Sequence, residues 1–201
     1  MPLARTFDAA QGKIVSTAYD GYLDRLSRWS DIQESMPVLY ETAKSYENVR
    51  VLELGTRRGN STLAFLAAAE AAGGHVWSCD MAPVLGDLDG MRPWARHPRW
   101  TFIQGDDMDP AVQARLPAEV DVLFIDTSHL YEHTLAELHA FMPRLAPGGT
   151  GLFHDTDLYL NTSGVQDDYP QVSKALNEYC RQTGQEWKNI TGQYGLGVLR
   201  R

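Results

Sequence analysis

The sequence predicts an α/β protein, a doubly wound and largely parallel sheet with a helical cap at its N-terminus. Three observations carry this. From residue 48 onward short apolar runs alternate with longer segments of helical periodicity. One run, "VDVLFID", is apolar almost throughout, as in a strand buried on both faces. The runs end in Gly or Asp, the residues of tight turns.

The elements follow in order. Residues 18 to 46 read as helical with polar breaks, and Leu23, Leu26, Trp29 and Ile32 recur every three residues as an apolar stripe. Val51 to Leu54 is a short buried strand ended by Gly55. Asn60 or Ser61 is placed to cap a helix with its body over Thr62 to Ala72, which Gly73-Gly74 stops. His75 to Asp80 is a second strand, followed by a loop rich in Pro and Gly. Trp100 to Gln104 is a third strand and Pro110 to Leu116 a short helix. Val120 to Ile125 is the fourth strand. The stripe Leu135, Leu138, Met142 and Leu145 makes Tyr131 to Leu145 a helix, with Pro147-Gly148-Gly149 as stop and turn. Thr150 to Phe153 is the fifth strand, 156 to 170 is irregular, and Gln171 to Arg181 is helical. Two late strands lie near Glu186 to Ile190 and Tyr194 to Leu199. We read one domain over 1–201, a helical cap (1–47) on a core (48–201).

Composition narrows the function. The chain has 201 residues, 43% hydrophobic and 22% charged, an ordinary globular balance. A net charge of -8 argues against a nucleic-acid partner, since phosphate binding needs a basic face. No apolar run approaches the roughly 20 residues of a membrane span, and "MPLARTFDAAQGK" lacks the apolar core of a secretory signal. Cys79 and Cys180 read as buried thiols in a reducing cytosol rather than a disulfide framework. The expected partner is a small molecule, with self-association through the N-terminal helices as a further expectation.

In a sheet of this kind ligands gather beyond the carboxyl ends of the strands. The first such loop, "ELGTRRGN", is not a dinucleotide fingerprint: Arg57 stands where the middle glycine would let a pyrophosphate approach. Glu53 at the strand end would repel phosphate and suit a cofactor with a cationic end, such as S-adenosylmethionine. Asp80 closes the second strand about 20 residues on, the spacing of an acid that accepts from two ribose hydroxyls; a turn aspartate is the plain alternative. Of Asp106 and Asp107 we assign Asp106 to the adenine amino group, and Asp107 to a turn or to solvent. The full cofactor set is Glu53, Gly55, Thr56, Gly59, Ser61, Asp80, Asp106 and Asp126.

"VLELGTRRGNST", "SCD", "QGDD", "VLFIDTSHLYEHTLAEL" and "LAPGGTGLFHDTD" together resemble a class I S-adenosylmethionine-dependent methyltransferase, of the branch that O-methylates small molecules such as macrolide sugars and cephalosporins. The resemblance spans roughly residues 48 to 157. It implies a Rossmann-like, seven-stranded sheet with the last strand antiparallel, O-methylation of a sugar or phenolic hydroxyl, and a histidine base at His129.

Asp126 ends the fourth strand, and His154 and Asp155 end the fifth. Neighbouring strands lie about 4.8 Å apart, so these groups can converge on one ion. Carboxylates favour Mg²⁺ and an imidazole shifts the preference toward Mn²⁺. The metal-dependent relatives carry two acids where this chain has His154-Asp155, so a metal-free site stays open. His129, with an ordinary pKa of about 6.5, suits a general base. Arg57 and Arg58 are left unassigned between anion binding and solvent. Trp77, Trp94, Trp100, Tyr159 and Tyr169 are candidates for an acceptor pocket, with Trp77 and Trp100 also suiting the core, and Tyr159 and Tyr169 a lid. Three other readings compete: a nicotinamide oxidoreductase, a nucleoside-binding protein without catalysis, and a zinc peptidase. The last rests on His129-Leu130-Tyr131-Glu132-His133, which matches H-x-x-E-H. That motif needs both histidines on one helix face, whereas His129 should precede the helix and His133, Glu132 and His139 should be solvated.

Overall fold

A computed structural model describes residues 6–8, 13–15, 17–82, 94, 96–159, 166–190 and 192–201. Two short antiparallel strands, β1 (Thr6–Asp8) and β2 (Lys13–Val15), precede the cap. Helix α1 (Ala18–Leu26) starts with a reciprocal cap in which Thr17 and Asp20 each bond the other's backbone N–H. Helix α2 (Met36–Lys44) starts with Pro37 in its first turn. The predicted apolar stripe of the cap survives only in part. Because α1 ends at Leu26, the three-residue spacing runs across a break, and Leu23 and Trp29 are 45% and 78% exposed while Leu26 and Ile32 pack against the core. The cap instead buries Ala18, Tyr22, Ile32, Met36, Leu39, Tyr40 and Ala43 against the core, with the Tyr22 and Tyr40 rings stacked 5.1 Å apart.

The core is a seven-stranded sheet in the order β5-β4-β3-β6-β7-β9-β8. Its strands are β3 (Val49–Leu54), β4 (Gly74–Asp80), β5 (Trp100–Gln104), β6 (Val120–Ile125), β7 (Leu145–His154), β8 (Trp187–Ile190) and β9 (Leu196–Arg200). Strand β9, the last in the chain, runs antiparallel to both neighbours, and the other described pairings from β5 to β7 are parallel. Helices α3 (Asn60–Ala72), α4 (Pro110–Gln113), α5 (Tyr131–Phe141) and α6 (Gln171–Thr183) connect the strands. The sheet separates two apolar clusters. One, around Leu63, Phe65, Val76 and Phe124, is shared with the cap, and the other, around Leu52, Leu123, Leu138, Phe141 and Leu176, lies opposite. The fold class is therefore the one expected.

Several boundaries move. Helix α4 stops at Gln113, and α5 stops at Phe141 before a 3₁₀ turn, Met142–Arg144, where Pro143 cannot continue the α-helical bonding. Pro147-Gly148-Gly149 lies inside strand β7 rather than ending an element. The pairing jumps from Val120↔Leu145 to Val122↔Thr150, so these residues form a bulge against β6. Most of the Pro- and Gly-rich loop expected after Asp80, and the middle of the irregular stretch before α6, lie outside the described residues.

Strand order reverses at β3, with β4 on one side and β6 on the other. Arg50 locks the far end of this pair by bonding both oxygens of Asp121 and one of Glu119. The carboxyl ends of β3 and β6 open at the switch point, where α/β sheets bind ligands.

Candidate active site

The turn after β3 is shaped by close backbone approach. Gly55 has φ 87°, and a Cβ there would lie 1.9 Å from the Asp126 carbonyl oxygen. Gly59 (φ 75°) caps α3, so neither Asn60 nor Ser61 caps the helix as expected. The Ser61 hydroxyl turns inward to donate to Glu53 at 2.6 Å, and Thr62 and Ser78 donate to the same carboxyl at 2.7 and 2.5 Å. Glu53 is wholly buried beneath the turn and lines neither of the site's two cavities, which sets it apart from the direct contact with a ligand's cationic end expected of it, whereas Ser61 does line one of them. Burial pushes its pKa up to about 7, against the pull of the three hydroxyls. Glu53 ties β3, β4 and the start of α3 into one unit.

Asp80 faces the turn. Its Oδ2 accepts from the backbone N–H of Thr56 and of Arg57, both at 2.8 Å, and Oδ1 accepts from Ala82. It lines a cavity of ≈ 510 Å³ with Gly55, Met81, Asp106, Asp107, Asp126 and His133 among its walls. The two acids after β5 exchange their expected places. Asp106 is exposed and accepts from the Met108 N–H, while Asp107 is buried. Burial and the neighbouring Glu137 push Asp107 up to about 8. His133 contacts both, 3.6 Å from Asp107 and 3.4 Å from Glu137, so it is not a solvated helix position as expected. Glu132 and His139 are exposed, as expected.

The ends of β6 and β7 bring four titratable groups together. His129 Nε2 lies 2.8 Å from Asp155 Oδ2 and 3.3 Å from Asp126 Oδ1, while His154 Nδ1 lies 3.1 Å from Asp155 and 3.6 Å from Asp126. His129 and Asp155 hold positive φ, 57° and 61°, a conformation that non-glycine residues avoid and that functional sites retain. Burial opposes charge on all four, yet the pairing outweighs it. Asp126 is held well below the usual carboxylate range and Asp155 is lowered as well, while His129 rises to about 9 and His154 to about 10. The two carboxylates thus lift His129 above the ordinary imidazole pKa on which its expected role as a base rests. Asp126, His154 and Asp155 each offer a donor atom within 4.8 Å of the others. His154 is buried with Nδ1 facing the two carboxylates, while its Nε2 has no hydrogen-bond partner among the described residues. Two carboxylates and an imidazole are a donor set that fits a divalent ion of the Mn²⁺ type.

A second cavity of ≈ 510 Å³ opens on the other side of Asp126 and Arg57, which line both. Its outer wall is the cap, through Arg25, Arg28, Trp29, Ser30, Asp31 and Ile32. Sequence reading missed these residues, because nothing in a helical segment marks which of its side chains will face a loop distant in the chain. Of the aromatic residues proposed for an acceptor pocket, none lines either cavity. Trp77 and Trp100 pack at the core margin, Trp94 packs over Gly21, and Tyr159 and Tyr169 are exposed. Arg57 pairs with Asp31 and so ties the turn to the cap.

The peptidase reading is overturned by geometry. His129 precedes α5 and joins the Asp126–Asp155 group, whereas His133 joins Asp107 and Glu137. The two histidines serve separate clusters.

The comparisons bear on this arrangement. The SAH-bound methyltransferase PaMTH1 of Podospora anserina superposes with a TM-score of 0.66 at 14% identity, over 92% of this chain and 87% of that one. The O-methyltransferase from Bacillus cereus in complex with SAH gives 0.64 at 13%, over 92% and 90%. At such identities the likeness is one of fold. A curated relative, the uncharacterized protein y4gI of Sinorhizobium fredii, is 26% identical over 162 residues, 75% of this chain. The match spans only 17% of that relative's length. A family profile described as a methyltransferase domain matches residues 52–156, the stretch that holds the glycine turn and all four groups at the ends of β6 and β7. This chain belongs to that methyltransferase-domain family.

Proposed function

We propose that the protein transfers a methyl group from S-adenosylmethionine to a hydroxyl of a small-molecule acceptor. The observation that carries this is the pair of cavities meeting at Asp126, one of them acid-lined. Asp80, Asp106 and Asp126 would repel a pyrophosphate, and with Asp107 they would accept the hydroxyls and amino groups of a phosphate-free nucleoside. This weighs against the nicotinamide reading. Asp80 takes the ribose, and Asp106 or Asp107 the adenine amino group. Gly55, Thr56 and Gly59 shape the turn over which the methionine end lies. The SAH carried by both structural relatives named above supports the same cofactor.

The methyl then faces the second cavity. The acceptor O–H gives its proton to His129 Nε2. The oxygen attacks the methyl carbon, the C–S bond breaks with its electron pair on sulfur, and S-adenosylhomocysteine leaves as a neutral thioether. Alignment of the two partners supplies much of the rate. A divalent ion at Asp126, His154 and Asp155 would acidify the acceptor hydroxyl. With both carboxylates engaged as ligands, His129 would lose the charges that raise its pKa and return toward the range of a working base.

Calorimetric titration tests the cofactor: S-adenosylhomocysteine should bind and NAD should not, and the reverse would end this reading. His129→Ala should lower methyl transfer by about 10²-fold or more; an unchanged rate would remove His129 as the base. Chelation should suppress transfer and Mg²⁺ or Mn²⁺ restore it, whereas indifference to both would remove Asp126, His154 and Asp155 as ligands.

A further inference from the structure

The acceptor-side cavity is basic in a chain whose net charge is -8. Four guanidinium groups line it, from Arg25, Arg28, Arg57 and Arg58. Two are accounted for, Arg28 by Asp24 and Arg57 by Asp31. Among the described residues, no ion pair is made by Arg25 or by Arg58. Arg25 is half-buried, and burial followed by the charges of Arg28 and Arg58 lowers its pKa, with Asp24 opposing. Like charges are thus crowded on one wall, an arrangement that costs energy unless something negative fills the space.

A second observation is independent of charge. Ser30 Oγ and Thr56 Oγ1 are buried in the same wall without a hydrogen-bond partner among the described residues. Thr56 is almost wholly buried. Hydroxyls left unsatisfied in this way are costly and mark a place where a ligand atom belongs. Trp29, exposed at the rim, adds a flat apolar surface beside the arginines.

Resting on the reading above, we infer that the methyl acceptor carries an anionic group, a carboxylate or phosphate, received by Arg25 and Arg58 with the Ser30 and Thr56 hydroxyls. Guanidinium suits these anions because its N–H groups match their paired oxygens. The reacting hydroxyl then lies on the side of the acceptor nearer Asp126 and His129, and Trp29 covers its apolar body. The same chemistry has a second source, the α-carboxylate of the cofactor itself, and the experiment separates the two.

The protein loaded with S-adenosylhomocysteine is titrated calorimetrically with two probes that differ by one carboxylate, dihydroxybenzoate and catechol. The wild-type chain should bind dihydroxybenzoate about tenfold more tightly, and inorganic phosphate should compete with it. Arg25→Gln and Arg58→Gln should each abolish most of that preference while S-adenosylhomocysteine affinity changes far less. Equal affinity for the two probes, or no competition by phosphate, would overturn the inference on the wild-type protein alone. Variants that weaken S-adenosylhomocysteine as much as dihydroxybenzoate would assign the arginines to the cofactor and equally overturn it. Failure of S-adenosylhomocysteine to bind at all would instead sink the methyltransferase reading, and the same probe ratio on unloaded protein would still decide the anion question.

Discussion

A single carboxyl, Glu53, shows how one residue couples stability to the site. Its folded pKa of about 7 lies above the ordinary 4.5, so the native state keeps a proton that the unfolded chain releases. Stability from this group is present at low pH and is lost as pH rises from about 4.5 to about 7, a change of roughly 3 kcal/mol. Glu53→Gln should flatten that slope in chemical denaturation across this range, and an unaltered slope would show that the buried carboxyl is ionised throughout. His129 and His154 have the opposite origin. Their raised pKa values, about 9 and about 10, favour folding fully below about 6.5, and that stabilisation is lost as pH climbs through the folded values. A divalent ion needs the same positions unprotonated, so Mn²⁺ affinity measured by titration should increase with pH between about 6 and 9. A flat profile would mean that ion and proton do not compete there. Gly55 is the strictest backbone position: Gly55→Ala would drive a methyl into the Asp126 carbonyl, and loss of cofactor binding is expected even where the chain folds.

At the scale of elements, β6 is the spine of the site. It pairs with β3 and β7, delivers Asp126, and carries Phe124, which is wholly buried and packs edge-on to Phe65 of α3 at 5.5 Å. Phe124→Ala should cost about 3–5 kcal/mol in denaturant unfolding. A cost below about 1 kcal/mol would show that α3 closes onto the sheet without it. The cap is held by fewer polar ties. Glu70 of α3 accepts from the Ala18 and Tyr19 N–H groups at the start of α1, and Arg57 reaches Asp31. An acid at a helix N-terminus stabilises it by satisfying free N–H groups and the dipole together. The cap is thereby set against the glycine turn, where it forms the outer wall of the arginine-lined cavity.

For the whole molecule the decisive property is the asymmetry between its two cavities, one lined by four carboxyl-bearing residues and the other by four arginines. A ligand that binds only the folded state raises its melting temperature by mass action. At about 100 times its Kd it adds about 2.7 kcal/mol, or roughly 5–10 °C for a chain of this size. S-adenosylhomocysteine should produce such a shift and NAD none, and the opposite order would reverse the assignment of the acidic cavity.

Strand-helix alternation and the apolar runs were enough to determine the α/β class and the seven strands of the core sheet, though not all of their ends, because local periodicity reports which faces must be buried. Glu53, Gly55, Asp80, Asp126, His129, His154 and Asp155 were legible for a related reason: they lie at or just past the carboxyl ends of strands, and parallel strands gather those ends. Only the tertiary structure decided that Glu53 lies beneath the turn, that Asp107 rather than Asp106 is buried, and that two carboxylates face His129. It alone brought Arg25 and Ser30 of the cap to face Arg58 and Thr56. Burial depth, side-chain partners and the facing of remote segments arise from packing between elements, and no spacing along a single chain encodes them.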